Sequence, residues 1–145
     1  MNVNQISSSP EFKKLDPAYR ILVAEDNDDL RQILADVINL IGIQSQFAIN
    51  GKQAFDIIQS QAPGHFDAIL SDISMPEMDG FEFLIKLRQN SFNQPFIFMT
   101  AAPTVENVSR AALLGITHIL EKPFDVEELR RCLIRVLENN LPENE

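Results

Sequence analysis

Five times between Arg20 and Asn139 a short apolar run gives way to a longer segment whose apolar residues recur every three or four positions. Ile21-Leu22-Val23-Ala24 opens the series at strand length. Leu30, Ile33, Leu34, Val37, Ile38 and Ile41 then form one stripe of a helix. Phe47-Ala48-Ile49 predicts a second strand, stopped by the turn pair Asn50-Gly51, and Ala54, Ile57 and Ile58 mark a second helix. Phe66 to Leu70 predicts the third strand; a loop through Pro76 and Gly80 leads to a helix carrying Phe81, Leu84 and Leu87. Pro95 to Met99 predicts the fourth strand, and Val105, Val108, Ala111 and Ala112 stripe the helix after it, which Gly115 can cap. Ile116 to Leu120 predicts the fifth strand, and a last helix turns Val126, Leu129, Cys132, Leu133, Val136 and Leu137 inward. Such alternation predicts an α/β protein with a parallel sheet covered on both faces, and strands apolar almost throughout agree with that. The simplest closure is a doubly wound five-stranded parallel sheet with five helices, because a barrel needs eight such units and a longer chain.

The 145 residues therefore read as one domain over residues 20–139. Residues 1–19 are polar, carry Ser7-Ser8-Ser9-Pro10, and predict a flexible extension or a short surface helix. Residues 140–145 read as a short tail. Lys and Arg number 12 against 21 Asp and Glu, a formal net charge of -9, which argues against direct nucleic-acid binding. One cysteine excludes an internal disulfide, and with 2 histidines it cannot supply the four ligands of a Cys/His zinc site. No apolar run approaches the ~18 residues of a membrane span, and Met1 to Pro10 lacks the pattern of a secretory signal. A cytoplasmic location is expected.

In a doubly wound sheet, ligands bind beyond the carboxyl ends of the strands, so the residues just after each apolar run matter most. Glu25 and Asp26 follow the first run, Asp72 the third, Thr100 the fourth, and Glu121, Lys122 and Pro123 the fifth. Carboxylates brought together there repel one another, by about 4 kcal/mol per pair at a separation of about 4 Å and an effective dielectric near 20. One lysine does not balance three of them. A divalent cation is needed, and all-oxygen ligands favour Mg2+ or Mn2+ over zinc. A magnesium ion that keeps some waters leaves room for phosphate oxygens. Phosphoryl transfer then requires a nucleophile, for which Asp72 is suited, and donors such as Thr100 and Lys122 for the phosphoryl oxygens.

These residues resemble the motifs of response-regulator receiver domains. The resemblance is carried by Glu25-Asp26, Asp72-Ile73-Ser74-Met75-Pro76, Asp79-Gly80, Thr100-Ala101 and Lys122-Pro123-Phe124, and spans about Arg20 to Asn139. It implies a flavodoxin-like topology and a phosphoacceptor signalling domain rather than an enzyme with turnover. By this resemblance Asp72 accepts a phosphoryl group from a histidine kinase or phosphotransfer protein. Asp26, Asp72 and the backbone carbonyl of Ser74 ligate Mg2+, with Glu25 acting through a metal-bound water. Thr100 binds a phosphoryl oxygen, and Lys122, across a cis bond to Pro123, pairs with the phosphate. Output would pass to an unknown downstream protein through the face of the fourth helix, fifth strand and fifth helix. With no output domain in the remaining residues, the resemblance is to stand-alone, chemotaxis-like or phosphorelay regulators. Four positions modify the pattern. Glu25 stands where Asp is commoner. Ile119 occupies the place of a frequent switching Tyr or Phe. Ser74 and Ala102 fall at positions that tune phosphoryl lifetime, and Ala102 predicts slow self-dephosphorylation.

Other polar residues read more simply. Asp28 and Asp29 suit the positive end of a helix, and Asp79 suits a helix start. Asp26-Asn27-Asp28-Asp29 fails as a calcium loop because Leu30 and Arg31 stand where a ligand and a glycine are required. Cys132 and Phe81 read as core, while His65 and His118 lie apart from the carboxylates. Phe83 brackets the same helix as Phe81. Arg130, Arg131 and Arg135 form a basic strip, with Glu127 pairing along the helix, which is a solvated face or a partner surface. Competing functions are a constitutive docking module, an aspartyl-nucleophile phosphatase, and a flavin-binding module. An intact Asp26, Asp72, Thr100 and Lys122 set opposes the first. Ser74 in place of a second acid opposes the second, and the lack of a glycine-rich loop after the first strand opposes the third.

Overall fold

The computed structural model describes residues 13–138. Its elements run β1 (Arg20–Ala24), α1 (Asp28–Ile41), β2 (Gln44–Ala48), α2 (Gly51–Gln59), β3 (Ala68–Asp72), α3 (Gly80–Gln89), β4 (Phe96–Thr100), α4 (Val105–Leu113), β5 (Ile119–Glu121) and α5 (Val126–Leu137). The strands pair in parallel in the order β2-β1-β3-β4-β5, the doubly wound sheet that the sequence predicts.

Each helix starts on a side chain that accepts a hydrogen bond from an otherwise unsatisfied backbone amide. Asn27, Asn50, Asp79, Thr104 and Asp125 fill these places for α1 to α5. Asp79 with Glu82, and Asp125 with Glu128, close reciprocal capping boxes. The sheet divides the core into two apolar layers. Leu22, Ala24, Ile69 and Phe98 pack with α2 and α3, whereas Ile21, Val23, Leu70 and Ile97 pack with α1 and α5.

Several boundaries shift from the sequence expectation. The second strand begins at Gln44, because an edge strand leaves Gln44, Ser45 and Gln46 in solvent and hides its apolar signal. The third strand starts at Ala68 and runs through Asp72, and the fifth spans only Ile119–Glu121. Val105 and Val108 are 83% and 44% exposed and Ile33 is 55% exposed, so only part of the stripes predicted for α1 and α4 is core. On α4 the buried residue is Ala111.

Residues 13–19 lie against the body. Leu15 is buried, and its amide donates to the Ile41 carbonyl at 3.0 Å. The Arg130 Nε donates to the Lys13 carbonyl at 2.8 Å, and the Tyr19 hydroxyl donates to the Leu137 carbonyl at 3.2 Å. Gly42 adopts the left-handed conformation at φ 99°, and a side chain there would meet Lys14 at 3.1 Å. Residues 1–12 and 139–145, which include most of the expected extension and the tail, lie outside the described residues.

Candidate functional site

Parallel pairing delivers the ends of β1, β3, β4 and β5 to one edge of the sheet, and with them Glu25, Asp72, Thr100 and Lys122. Glu25, the residue after β1, is 1% exposed. Its amide donates to the Ala48 carbonyl at 3.0 Å, and the Asn27 amide donates to its Oε2 at 3.0 Å. Asp72 closes β3 and is buried, with Oδ1 facing the Ser74 amide at 3.4 Å. Lys122 reaches between the two acids. Its Nζ donates to Glu25 Oε1 at 2.9 Å and to Asp72 Oδ2 at 2.8 Å. Its backbone amide donates to the Thr100 carbonyl at 2.8 Å, and the Lys122–Pro123 bond is cis.

Asp26 completes the cluster from the rim. It is exposed, yet one carboxylate oxygen from each of Glu25, Asp26 and Asp72 lies within 4.8 Å of the others. Together with Asp28, Asp29 and Lys122 they line an open hollow of about 710 Å³. Thr100 ends β4 one residue past Met99, the register partner of Asp72, and its Oγ1 accepts from the Ala102 amide at 3.1 Å. Ser74 is exposed just beyond Asp72. All six residues expected at the site therefore belong to this sheet edge or its loops.

The electrostatics follow from burial and the pairing. Burial pushes the Glu25 carboxyl above its ordinary range and the Asp72 charge adds to this, against hydrogen bonds from Lys122 and the Asn27 amide. Burial pulls Lys122 down, but its bonds to Asp72 and Glu25 outweigh that and leave it raised. Three carboxylates against one ammonium leave two negative charges, which a single divalent cation balances. Hard oxygen donors of this number, open to water on one side, fit Mg2+ better than zinc.

Among the other residues weighed in the sequence, Asp79 caps α3, and Asp28 and Asp29 open α1. Phe81 and Phe83 are both core. Ile119 is half-buried against the α2 and α3 layer. Glu127 pairs with both Arg130 and Arg131. His65 lies beside Arg20 at 3.5 Å, where β1 begins and thus at the opposite end of that strand from Glu25, and Cys132 is buried in the α1 and α5 layer. Asn27 and Arg31 were not legible as site residues: nothing in their spacing announces that they bond to Glu25.

A family model described as the response regulator receiver domain matches residues 21–134. The chain is similar to the regulatory protein AtoC of Escherichia coli K12, at 37% identity over 119 residues that are 82% of this chain and 25% of AtoC. It is similar over nearly a whole protein to sporulation initiation phosphotransferase F of Bacillus subtilis 168, at 34% identity, covering 81% of this chain and 93% of that one. The chemotaxis protein CheY4 of Vibrio cholerae superposes with a TM-score of 0.75 at 31% identity, over 82% of this chain and 98% of that one.

Proposed function

Since the chain belongs to the response regulator receiver domain family, we propose that Asp72 accepts a phosphoryl group from a histidine kinase or phosphotransfer protein and that the acyl phosphate switches protein binding. The observation that carries this reading is Lys122 bridging Glu25 and Asp72 at 2.9 and 2.8 Å beside the Asp26 carboxylate. A carboxylate oxygen of Asp72 forms the new P–O bond while the P–N bond of the donor phosphohistidine breaks, its electron pair staying on the imidazole nitrogen. Lys122 holds Asp72 oriented and offers its charge to the incoming phosphoryl oxygens. The Thr100 hydroxyl donates to one of those oxygens. Glu25, Asp26, Asp72 and the Ser74 carbonyl would hold Mg2+. When bound, the metal neutralises charge gathering on the transferring group.

The output surface in this reading comprises α4, β5 and α5, where Val105, Val108 and Leu113 stand exposed. In this reading the chain meets its donor kinase in the cytoplasm. Among the described residues no helix is long and apolar enough to cross a membrane. Acetyl phosphate with Mg2+, read by intact mass, tests the proposal. Wild-type protein should gain one phosphoryl group and Asp72→Asn none. Equal labelling of Asp72→Asn, or no labelling of wild type by acetyl phosphate and by the histidine kinases of its source, would overturn it.

A further inference from the structure

Two of the three clustered carboxylates ride on the β1–α1 loop, and Arg31 reaches back from the first turn of α1 to hold that loop. Its Nη1 donates to the backbone carbonyl of Glu25 at 2.8 Å, and its Nη2 pairs with the Asp28 carboxylate. The Arg31 amide donates to the Asn27 carbonyl at 2.9 Å. From the other side, the Asn27 amide donates to Glu25 Oε2 at 3.0 Å, and the Asn27 side chain accepts from the Leu30 amide at 2.9 Å. Both neighbours of Asp26 are thus fastened. Asp26 itself is exposed, and its carboxylate makes no hydrogen bond or ion pair with another side chain among the described residues. Only the backbone on either side aims it at the cluster.

We infer that Arg31 is a positioning residue for the metal site, acting on the Glu25 carbonyl to set where Glu25 and Asp26 stand. The inference rests on the Mg2+ reading proposed above. It has a sign that separates it from simple electrostatics. A cation near three carboxylates competes with the metal, so Coulomb's law alone has Mg2+ binding tighten when Arg31 loses its charge. Loss of an outer partner that orients the ligands weakens binding instead, by about tenfold or more.

The test titrates Mg2+ into metal-free wild type, Arg31→Met and Arg31→Lys, following amide chemical shifts, with hydrogen exchange at the Asn27 and Leu30 amides measured without metal. The Kd should rise about tenfold in Arg31→Met, a loss of the size expected for outer-shell partners. It should stay raised in Arg31→Lys, since an ammonium cannot span the Glu25 carbonyl and the Asp28 carboxylate as the guanidinium fork does. Both amides should exchange faster in each variant. Arg31→Lys, which keeps the charge, carries the test alone should Arg31→Met not fold. An unchanged or tighter Kd in the variants while wild type binds Mg2+ overturns the role of Arg31 by itself. Wild type that binds no Mg2+ overturns the metal reading and this inference together.

Discussion

Gly80 stands where any side chain would collide with the site. A Cβ there would lie 2.3 Å from the Asp72 carbonyl oxygen, 3.0 Å from Ile73 Cα and 3.1 Å from Phe98 Cε1. Two of the three are backbone atoms, and the Gly80 amide also donates to the Ile73 carbonyl at 2.8 Å, so neither chain can retreat cheaply. Gly80→Ala should cost about 1–3 kcal/mol in chemical denaturation and slow phosphorylation of Asp72. A variant as stable and as readily phosphorylated as wild type would contradict this. Cys132 gives a second measurement. Burial, against a smaller opposing effect of Arg135, pushes its thiol up to about 11 from 9.0. Between those values the native state holds a proton that the unfolded chain has released, so this group's contribution to stability falls as pH rises through that window. At a pH near 8 the native thiol should react with a disulfide reagent about 100-fold more slowly than the denatured chain, as its thiolate fraction dictates. At this scale the acids, Thr100 and Lys122 were legible because each follows an apolar run. Arg31 was not, because a charged residue in a first helical turn looks like solvated surface until the carbonyl it bonds is known.

Helix α4 is the least anchored element of the fold. Of its nine residues only Ala111 is buried, while Val105 and Leu113 are 83% and 87% exposed. Its other hold is the Arg110 guanidinium, 4.3 Å from the centre of the Phe81 ring. Amides of α4 should therefore exchange faster than those of the other four helices, and Arg110→Ala should speed them further. Protection of α4 equal to that of α3 would refute this. The apolar period of the segment predicted the helix correctly but not its exposure, since periodicity reports a stripe and not whether anything covers it. The polar start of β2 was missed for the converse reason. Gln44, Ser45 and Gln46 are held by pairing with Arg20, Ile21 and Leu22, and a ladder of backbone hydrogen bonds leaves no mark in side-chain hydropathy. The parallel direction of the strands, by contrast, followed from the strict alternation of strands and helices, whereas the order β2-β1-β3-β4-β5 agrees with the flavodoxin-like topology that the family resemblance implied.

Across the whole molecule, the acidic cluster is a place where folding gathers like charge, so a cation that binds only the folded form should stabilise it. At 100 times its Kd, Mg2+ should add about 2.7 kcal/mol, and raise Tm by roughly 5–11 °C for a chain of this size. Asp26→Asn should lose most of that rise in a thermal melt with and without Mg2+, and an equal rise in both would count against the site. The chain's ties also extend past the patterned region. Leu15, Lys13 and Tyr19 bond to α1 and α5, contacts that no local pattern could announce because the partners are far away in sequence. The two apolar layers lie on opposite faces of the strands, with Leu22 and Ala24 on one side and Ile21 and Val23 on the other. Substitutions at helix positions on opposite faces of the sheet, such as Leu34 and Leu84, belong to different layers and should combine additively. Each half of the interior is thus free to drift in the course of descent, or to be redesigned, without renegotiating the other.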